Sequence, residues 1–423
     1  MALLNLSHYH FLWLAIAAFI TLMLNAQYVC ADAGDTFNAT AGSTLMYDSN
    51  VFRISPSIDP ALLTGKPMRS DQVITSTATL SLNKLYGMQR FEASGSLVDN
   101  RYHNFNFLNF IAKNYNAAWA WYLTPYFHGN LSSNHREGLQ NFGNLTGFIN
   151  SSNRNIRTDD LHRFDAVFEL NRSWHIIGGV SQSKLTNSRL TVQDFDNTVL
   201  SFEGGIRYVL PSGTTFTYKG RSGQGDFFKR AAPIASSLFD TRFNDMEHDI
   251  SMMWRITDKS SIDARAGYFE RTHAHFSQRD FAGFVGNFNL NWAITRKTHL
   301  SGGWARDLAN FQTSTNFQLA NFASYSSSYF VGDRFWVTPV WQITQKTALR
   351  LRYEYSVRDY LGSVASFPDS RHDSMHSGQV SLDWEPIRAI ALSALLQRNH
   401  RSSNLRGFDF DNIAGSISVR LNF

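Results

Sequence analysis

The chain has 423 residues, with 39 Lys and Arg against 34 Asp and Glu for a formal charge of +5. Charged residues make up only 17%, aromatics reach 14% and the mean hydropathy is −0.27, where soluble globular chains carry roughly 25% charge. That combination excludes disorder, a coiled coil and a bundle of apolar membrane helices, and leaves a membrane β-barrel or a large soluble β-protein.

Taken in chain order, Phe11 to Leu24 (FLWLAIAAFITLML) is an apolar run of 14 residues, short of the roughly 20 that a spanning helix needs. Residues 1–33 therefore read as a secretory signal peptide, with small residues for cleavage after Ala31 or Ala33. Cleavage would remove Cys30, the single cysteine, and with it any disulfide, thiol nucleophile or thiolate metal ligand. It would also remove Asp32, so that 39 basic and 33 acidic residues remain, a formal +6. Residues 34–423 are expected to form one barrel domain. The first strand begins within a few residues of the leader, so no plug or separate periplasmic domain is expected.

Beyond the leader the hydrophobic period is two, the period of a strand. Alternating runs fall at roughly 36–47, 71–84, 88–102, 110–123, 126–137, 158–170, 173–186, 197–210, 213–226, 243–256, 260–273, 280–293, 298–308, 324–342, 347–359, 372–385, 388–402 and 409–423, which makes 18 strands. In the last run Ile413, Ile417, Val419, Leu421 and Phe423 share one face, while Ser416, Ser418, Arg420 and Asn422 share the other. In 347–358, Leu349, Leu351, Tyr353, Tyr355 and Val357 alternate with Arg350, Arg352, Glu354, Ser356 and Arg358. Short connections such as Leu123-Thr124-Pro125 alternate with longer ones, for example 48–70, 138–157, 227–242, 309–323 and 360–371. Outer-membrane barrels have this asymmetry, with tight periplasmic turns and longer outer loops. The expected fold is all-β: a transmembrane antiparallel up-and-down β-barrel of about 18 strands in the outer membrane of a Gram-negative bacterium.

Three segments repeat one pattern: Trp254 to Ser260 (WRITDKS), Trp292 to Thr298 (WAITRKT) and Trp341 to Thr347 (WQITQKT), with Trp384-Glu-Pro-Ile-Arg388 a looser version. Spacings of 38, 49 and 43 residues make the repeating unit a hairpin with variable far loops. Trp254, Trp292, Trp341 and Trp384 are expected at one height, as a girdle at the membrane interface. The competing reading, a row of core tryptophans in a soluble propeller or sandwich, fits poorly with their place opposite a charged face.

Asp35-Thr36-Phe37-Asn38-Ala39, followed by Tyr47-Asp48-Ser49-Asn50-Val51-Phe52-Arg53, resembles the N-terminal signature of EpsL-type outer-membrane proteins. These are porin-like β-barrels of the exosortase-associated group, linked to exopolysaccharide biosynthesis. The Trp-x-Ile-Thr-x-Lys-Thr hairpins and the terminal Phe423, an assembly signal of outer-membrane barrels, are similar to the same group. The resemblance covers the mature chain in architecture and about seven residues in motif. It implies export or assembly of an extracellular polysaccharide, with outer-membrane lipid, polysaccharide, other export proteins and the barrel-assembly machinery as partners. Nucleic acid is not expected, since the basic residues are dispersed rather than gathered into a patch.

A barrel of this size leaves an aqueous channel lined by the polar face. Parity turns Arg90, Arg207, Lys219, Arg221, Arg255, Arg265, Arg271, Arg350, Arg352, Arg358 and Arg420 inward, with Glu92, Asp165, Glu169, Glu203, Asp249, Asp263, Glu354 and Asp383. Within this set Arg207, Lys219, Arg221, Arg255, Arg265, Arg350, Arg352, Glu354, Arg358 and Arg420 are the candidate lumen-lining residues for binding or selectivity. A mildly basic wall favours anionic solutes or an acidic glycan by its field, unless the charges simply pair across strands. The long loops, as in Asn316 to Phe322 and Ser324-Tyr325-Ser326, mix aromatics with small polar residues, a composition that can stack on sugar rings. No P-loop, HExxH or EF-hand pattern is present. His162 beside Asp159 and Asp160, His372 before Asp373 and Ser374, and His248 before Asp249 are adjacencies, not geometry. Neither catalysis nor a cofactor or metal is expected. The alternatives to polysaccharide export are a general diffusion porin for small solutes, a non-conducting scaffold barrel and a barrel hydrolase.

Overall fold

The computed structural model describes residues 36–140, 142, 154–235, 238–315, 325–363 and 370–423. Residues 1–33, expected as a signal peptide, and the loop residues Asn316 to Phe322 and Ser324 lie outside them. The strands are β1 (Phe37–Asp48), β2 (Asp71–Tyr86), β3 (Gln89–Tyr102), β4 (Phe110–Thr124), β5 (Phe127–Leu139), β6 (Ile156–Glu169), β7 (Trp174–Asn187), β8 (Asn197–Val209), β9 (Thr215–Asp226), β10 (Arg242–Thr257), β11 (Ser260–His273), β12 (Phe281–Ala293), β13 (Thr298–Thr315), β14 (Tyr325–Thr344), β15 (Thr347–Leu361), β16 (Arg371–Ile387), β17 (Ile390–Ser403) and β18 (Phe410–Asn422).

Each strand pairs antiparallel with its neighbours in sequence, and β1 pairs with β18 from Thr40↔Asn422 to Asp48↔Ala414, closing an 18-stranded barrel. Register follows from the alternation, because a slip of one residue would turn every apolar side chain to the wrong face. The outward face is apolar and exposed, as at Leu80, Leu97, Phe202, Ile250 and Ile417. That face belongs against lipid, and a closed barrel leaves no unpaired strand edge within the membrane. The short turns mark the periplasmic end and the longer connections the extracellular end.

Strand bounds match the alternating runs to within a few residues, with one departure. β13 continues to Thr315, through part of the segment expected as the loop 309–323. Its extension pairs with Tyr325 to Tyr329 past an irregularity between Asn310 and Thr313. The added residues are largely polar on both faces, so no alternation announced them.

The extracellular loops hold the best-buried apolar cluster, formed by Phe52, Ile54, Ile58, Phe105 and Leu108, with Phe52 and Phe105 edge to face at 4.7 Å. A short helix, α1 (Pro60–Thr64), lies in the first loop, capped by the Asp59 carboxylate and ended by Gly65 at φ 71. Tyr47 to Arg53, the second part of the motif quoted for the resemblance, sit at this end of the seam. Asp48 is buried; it accepts from Asn50 N–H at 2.8 Å and from both terminal nitrogens of Arg53 at 3.0 and 2.9 Å. Asn50 donates to Ile54 O and Asp411 O, tying the first loop to the end of β18.

Candidate functional site

The inner wall is built from alternate residues of all strands, and two arcs of it differ in their charge balance. By register, β6 to β11 turn eight cations and eight carboxylates inward. These knit together. Glu203 meets Arg163 and, at 3.4 Å, Lys219, while Glu247 lies between Arg221 and Arg265. Asp249 stands 3.4 Å from Arg265, and Asp245 grips Arg271 at 2.6 Å. The arc from β14 to β18 turns seven cations inward against Glu354, Asp373, Asp383 and Glu385.

Of the expected lumen residues, Lys219, Arg221 and Arg265 thus fall in the paired network. Arg352 pairs with Glu354 at 2.6 Å, and Arg358 lies 5.1 Å from the Phe330 ring. Arg207, Arg255, Arg350 and Arg420 are on the inner face and make no ion pair with any described carboxylate. Arg350 and Arg420 line a cavity of about 410 Å³ at the periplasmic mouth, together with Lys346, Asp383 and Glu385. Sequence reasoning passed over Arg334, which faces inward over the Trp336 ring at 5.2 Å. It also passed over the buried pair Arg371–Asp373 at 2.6 Å, clamped between Tyr360 and Phe408. The signal was available in the parity of β14 and β16, but both strands also carry inward aromatics or methionine that blur the alternation.

The extracellular half of the lumen is narrowed by the β13–β14 hairpin. Pairing of β12 with β13 stops at Gly286↔Arg306. Beyond it, Leu308 and Tyr329 pack on Phe269, Phe281 and Val285, which are inward residues of β11 and β12. Phe311 and Phe330 pack on Tyr360, Leu405 and Phe408. The hairpin therefore leans across the lumen, leaving a cavity of about 430 Å³ between Asn310 and Phe330 on its side and Arg157, Asn187 and Phe243 on the opposite wall.

Neighbouring loops are latched beside this hairpin. Asp240, fully buried, accepts from Thr241 N–H at 2.8 Å, from His275 Nδ1 at 3.0 Å and from the backbone N–H of His275 and Phe276. Arg279, also fully buried, donates to Leu238 O and Ser327 O at 3.0 Å. Burial pushes the Arg279 guanidinium down to about 10, so it stays charged at neutral pH. For Asp240, burial alone would raise the carboxyl; the bonds from His275, Arg242 and Thr241 outweigh it and hold the group below the usual range. A lowered folded-state value means the latch contributes fully above the ordinary carboxyl value of about 3.9 and is lost as pH falls below it. Hydrogen exchange in 238–241 and 274–280, corrected for intrinsic rates, is expected to stay slow from pH 8 to 5 and to rise below about pH 4. Asp240→Asn should exchange fast throughout; equal protection in that variant at pH 7 would refute the latch.

The four tryptophans lie on the outer face beside short turns, each roughly half exposed. Trp292, Trp341 and Trp384 pair with Ser260, Thr298 and Thr347, in each case the first residue of the preceding strand, so they share one height. Phe423 exchanges backbone hydrogen bonds with Ala39 at the periplasmic end of the seam, at 2.8 and 3.1 Å. The histidine adjacencies separate on folding. His248 and His372 face outward while Asp249 and Asp373 face inward, and His162 bonds Ser133 rather than either neighbouring carboxylate. Among the described residues no three His, Cys, Asp or Glu side chains are gathered to hold a metal.

The family model described as "Putative beta-barrel porin 2" matches residues 251–423. Among solved structures, OpdQ of Pseudomonas aeruginosa superposes with a TM-score of 0.51 at 10% identity, covering 92% of this chain and all of that one. OccK1 (OpdK) of the same species and a BenF-like porin of Pseudomonas fluorescens both reach 0.49, at 8% and 11% identity, each covering 92% of this chain and 99% of the other. The chain is a porin-like outer-membrane β-barrel. At such identities the likeness to OpdQ speaks to fold alone, and no curated protein matches the sequence.

Proposed function

We propose that this barrel is a diffusion channel for small polar solutes, with a preference for anions. The observation that carries the reading is the uneven wall: β6 to β11 balance eight inward cations with eight carboxylates, while β14 to β18 set seven cations against four, and Arg334, Arg350 and Arg420 there have no described carboxylate partner. A unit charge about 10 Å from a permeating ion contributes about 0.4 kcal/mol in water, a factor of about two for each ion sign. The inward β13–β14 hairpin favours small solutes over a polymer, since an extended chain needs an unbroken lumen. Passage of an extracellular polysaccharide is the second reading, supported by the resemblance of the segment Tyr47 to Arg53.

Reversal potentials in a planar bilayer across a gradient of dilute KCl test the proposal. The wild type is expected to favour chloride, and Arg350→Gln with Arg420→Gln to cut the chloride-to-potassium ratio roughly tenfold at low salt. An unchanged ratio, or no conductance at all, would refute it. Block by acidic oligosaccharides rather than by small anions would favour the polysaccharide reading.

A further inference from the structure

On the outer wall, Asp411, His400 and Ser402 form one hydrogen-bonded chain. His400 Nδ1 lies 2.8 Å from Asp411 Oδ1, and His400 Nε2 lies 3.1 Å from Ser402 Oγ. The topology explains why they meet. A spacing of two puts His400 and Ser402 on the same face of β17, and the ladder pair His400↔Asp411 brings the carboxylate across from β18. With Asp411 accepting from Nδ1–H, Nε2 keeps a lone pair for the Ser402 hydroxyl, the tautomer a general base needs. The other outward histidines lack this arrangement. His135 stands between Asp160 and Glu137, His372 meets Asp359, His162 meets Ser133, and His248 and His376 meet tyrosine hydroxyls.

Height adds a second observation. Leu392 pairs with Trp384 of the girdle, and His400 lies eight residues further along β17. At about 3.3 Å per residue and a tilt near 40° this is about 20 Å, near the top of an apolar band about 25 Å tall. Leu396 and Ile413, both about half exposed, are the outward apolar residues next below. The three polar groups, accessible at the surface, therefore stand where outer-leaflet acyl chains meet their head groups.

We infer that Ser402, His400 and Asp411 form a serine-esterase site acting on carboxylic esters of amphiphiles in the outer leaflet. Ser402 Oγ attacks the ester carbonyl carbon as its proton passes to His400 Nε2. The ester C–O bond breaks and His400 returns that proton to the leaving alkoxide, which departs as the alcohol. Water then attacks the acyl-serine, giving one proton through His400 to Ser402 and releasing the carboxylic acid. The balance is ester plus water to acid plus alcohol, with no other reactant. Asp411 orients the ring and stabilises the transient imidazolium. Strand backbone N–H groups are spent in the ladder, so oxyanion support comes from a side chain; the Ser374 hydroxyl, directly opposite Ser402, is placed for it. One donor in place of a backbone pair makes this a slow enzyme.

The site lies outside the lumen, so it stands or falls separately from the channel reading. The test uses the full-length barrel refolded in amine-oxide micelles, with gel mobility before and after heating to verify folding. A fluorophosphonate probe is expected to label Ser402, located by peptide mass spectrometry, and p-nitrophenyl laurate to be hydrolysed. Ser402→Ala should abolish both without altering conductance, and Asp411→Asn should slow hydrolysis by roughly 10²- to 10⁴-fold while the barrel stays folded. Ser133→Ala, at the separate Ser–His contact between β5 and β6, should change neither. Absence of label on Ser402 in folded protein, or hydrolysis that survives in Ser402→Ala, would overturn the assignment.

Discussion

Replacing Asp48 with alanine is expected to be the most destabilising single change at the barrel seam. The carboxylate is 5% exposed and collects Asn50 N–H, both terminal nitrogens of Arg53 and Asn412 Nδ2. Removing it strands a guanidinium whose side chain keeps only 22% exposure. Breaking a buried pair from one side costs about 3–5 kcal/mol, and the residual access of Arg53 places this case near the lower figure. Arg53 also holds φ 55, a left-handed conformation that costs a non-glycine residue about 1–2 kcal/mol and persists here because its side chain is clamped. Urea titration of the refolded barrel, followed by tryptophan fluorescence, should show the midpoint falling with Asp48→Ala and falling less with Asp48→Asn, which keeps an acceptor for Asn50. Equal midpoints for wild type and Asp48→Ala would show that the first loop is not a structural brace.

The second large effect is expected at Glu247. It is 6% exposed and lies between Arg221 and Arg265, with Asp249 3.4 Å from the latter as a partial substitute. Glu247→Gln removes one negative charge from the self-neutralised wall and leaves two guanidinium groups facing each other. Both arginines are a third or more exposed, so water tempers the stability cost to about 1–2 kcal/mol. The effect on permeation is larger. One charge near the ion path shifts cation and anion energies in opposite senses, so the chloride-to-potassium ratio should rise roughly fourfold at low salt and shrink toward wild type near 1 M, where the Debye length is about 3 Å. A ratio unmoved by Glu247→Gln at low salt would place the ion path away from β9 to β11.

Much of the fold was legible because each piece of it depends on local alternation. Leu349, Leu351 and Tyr353 against Arg350, Arg352 and Glu354 fix a strand, its faces and its register together, since side chains in an extended chain must alternate. The repeated Trp-x-Ile-Thr-x-Lys turns fixed the hairpin ends, and Lys259, Lys297 and Lys346 each donate their N–H to the Thr two residues earlier at 3.1 Å. The extension of β13 was not legible, because Asn310 to Thr315 carry no alternation and are held by pairing with β14, while Leu308 just before them and Tyr329 across the hairpin pack against Phe269 and Phe281.

For the lumen, parity located the charged residues but could not tell paired from unpaired ones. Whether Arg221 is neutralised depends on Glu247 standing across the ladder 26 residues away, and whether Arg350 is left without a partner depends on Ser381 standing where a carboxylate could have been. The same limit hid the outer-wall site. His400 and Ser402 share a face by spacing alone, while Asp411 reaches them only through the β17–β18 register. Faces and strand count follow from the stereochemistry of neighbouring residues. Partners across a sheet follow from hydrogen-bond register and from which apolar surfaces must be covered, and these exist only once the barrel has closed.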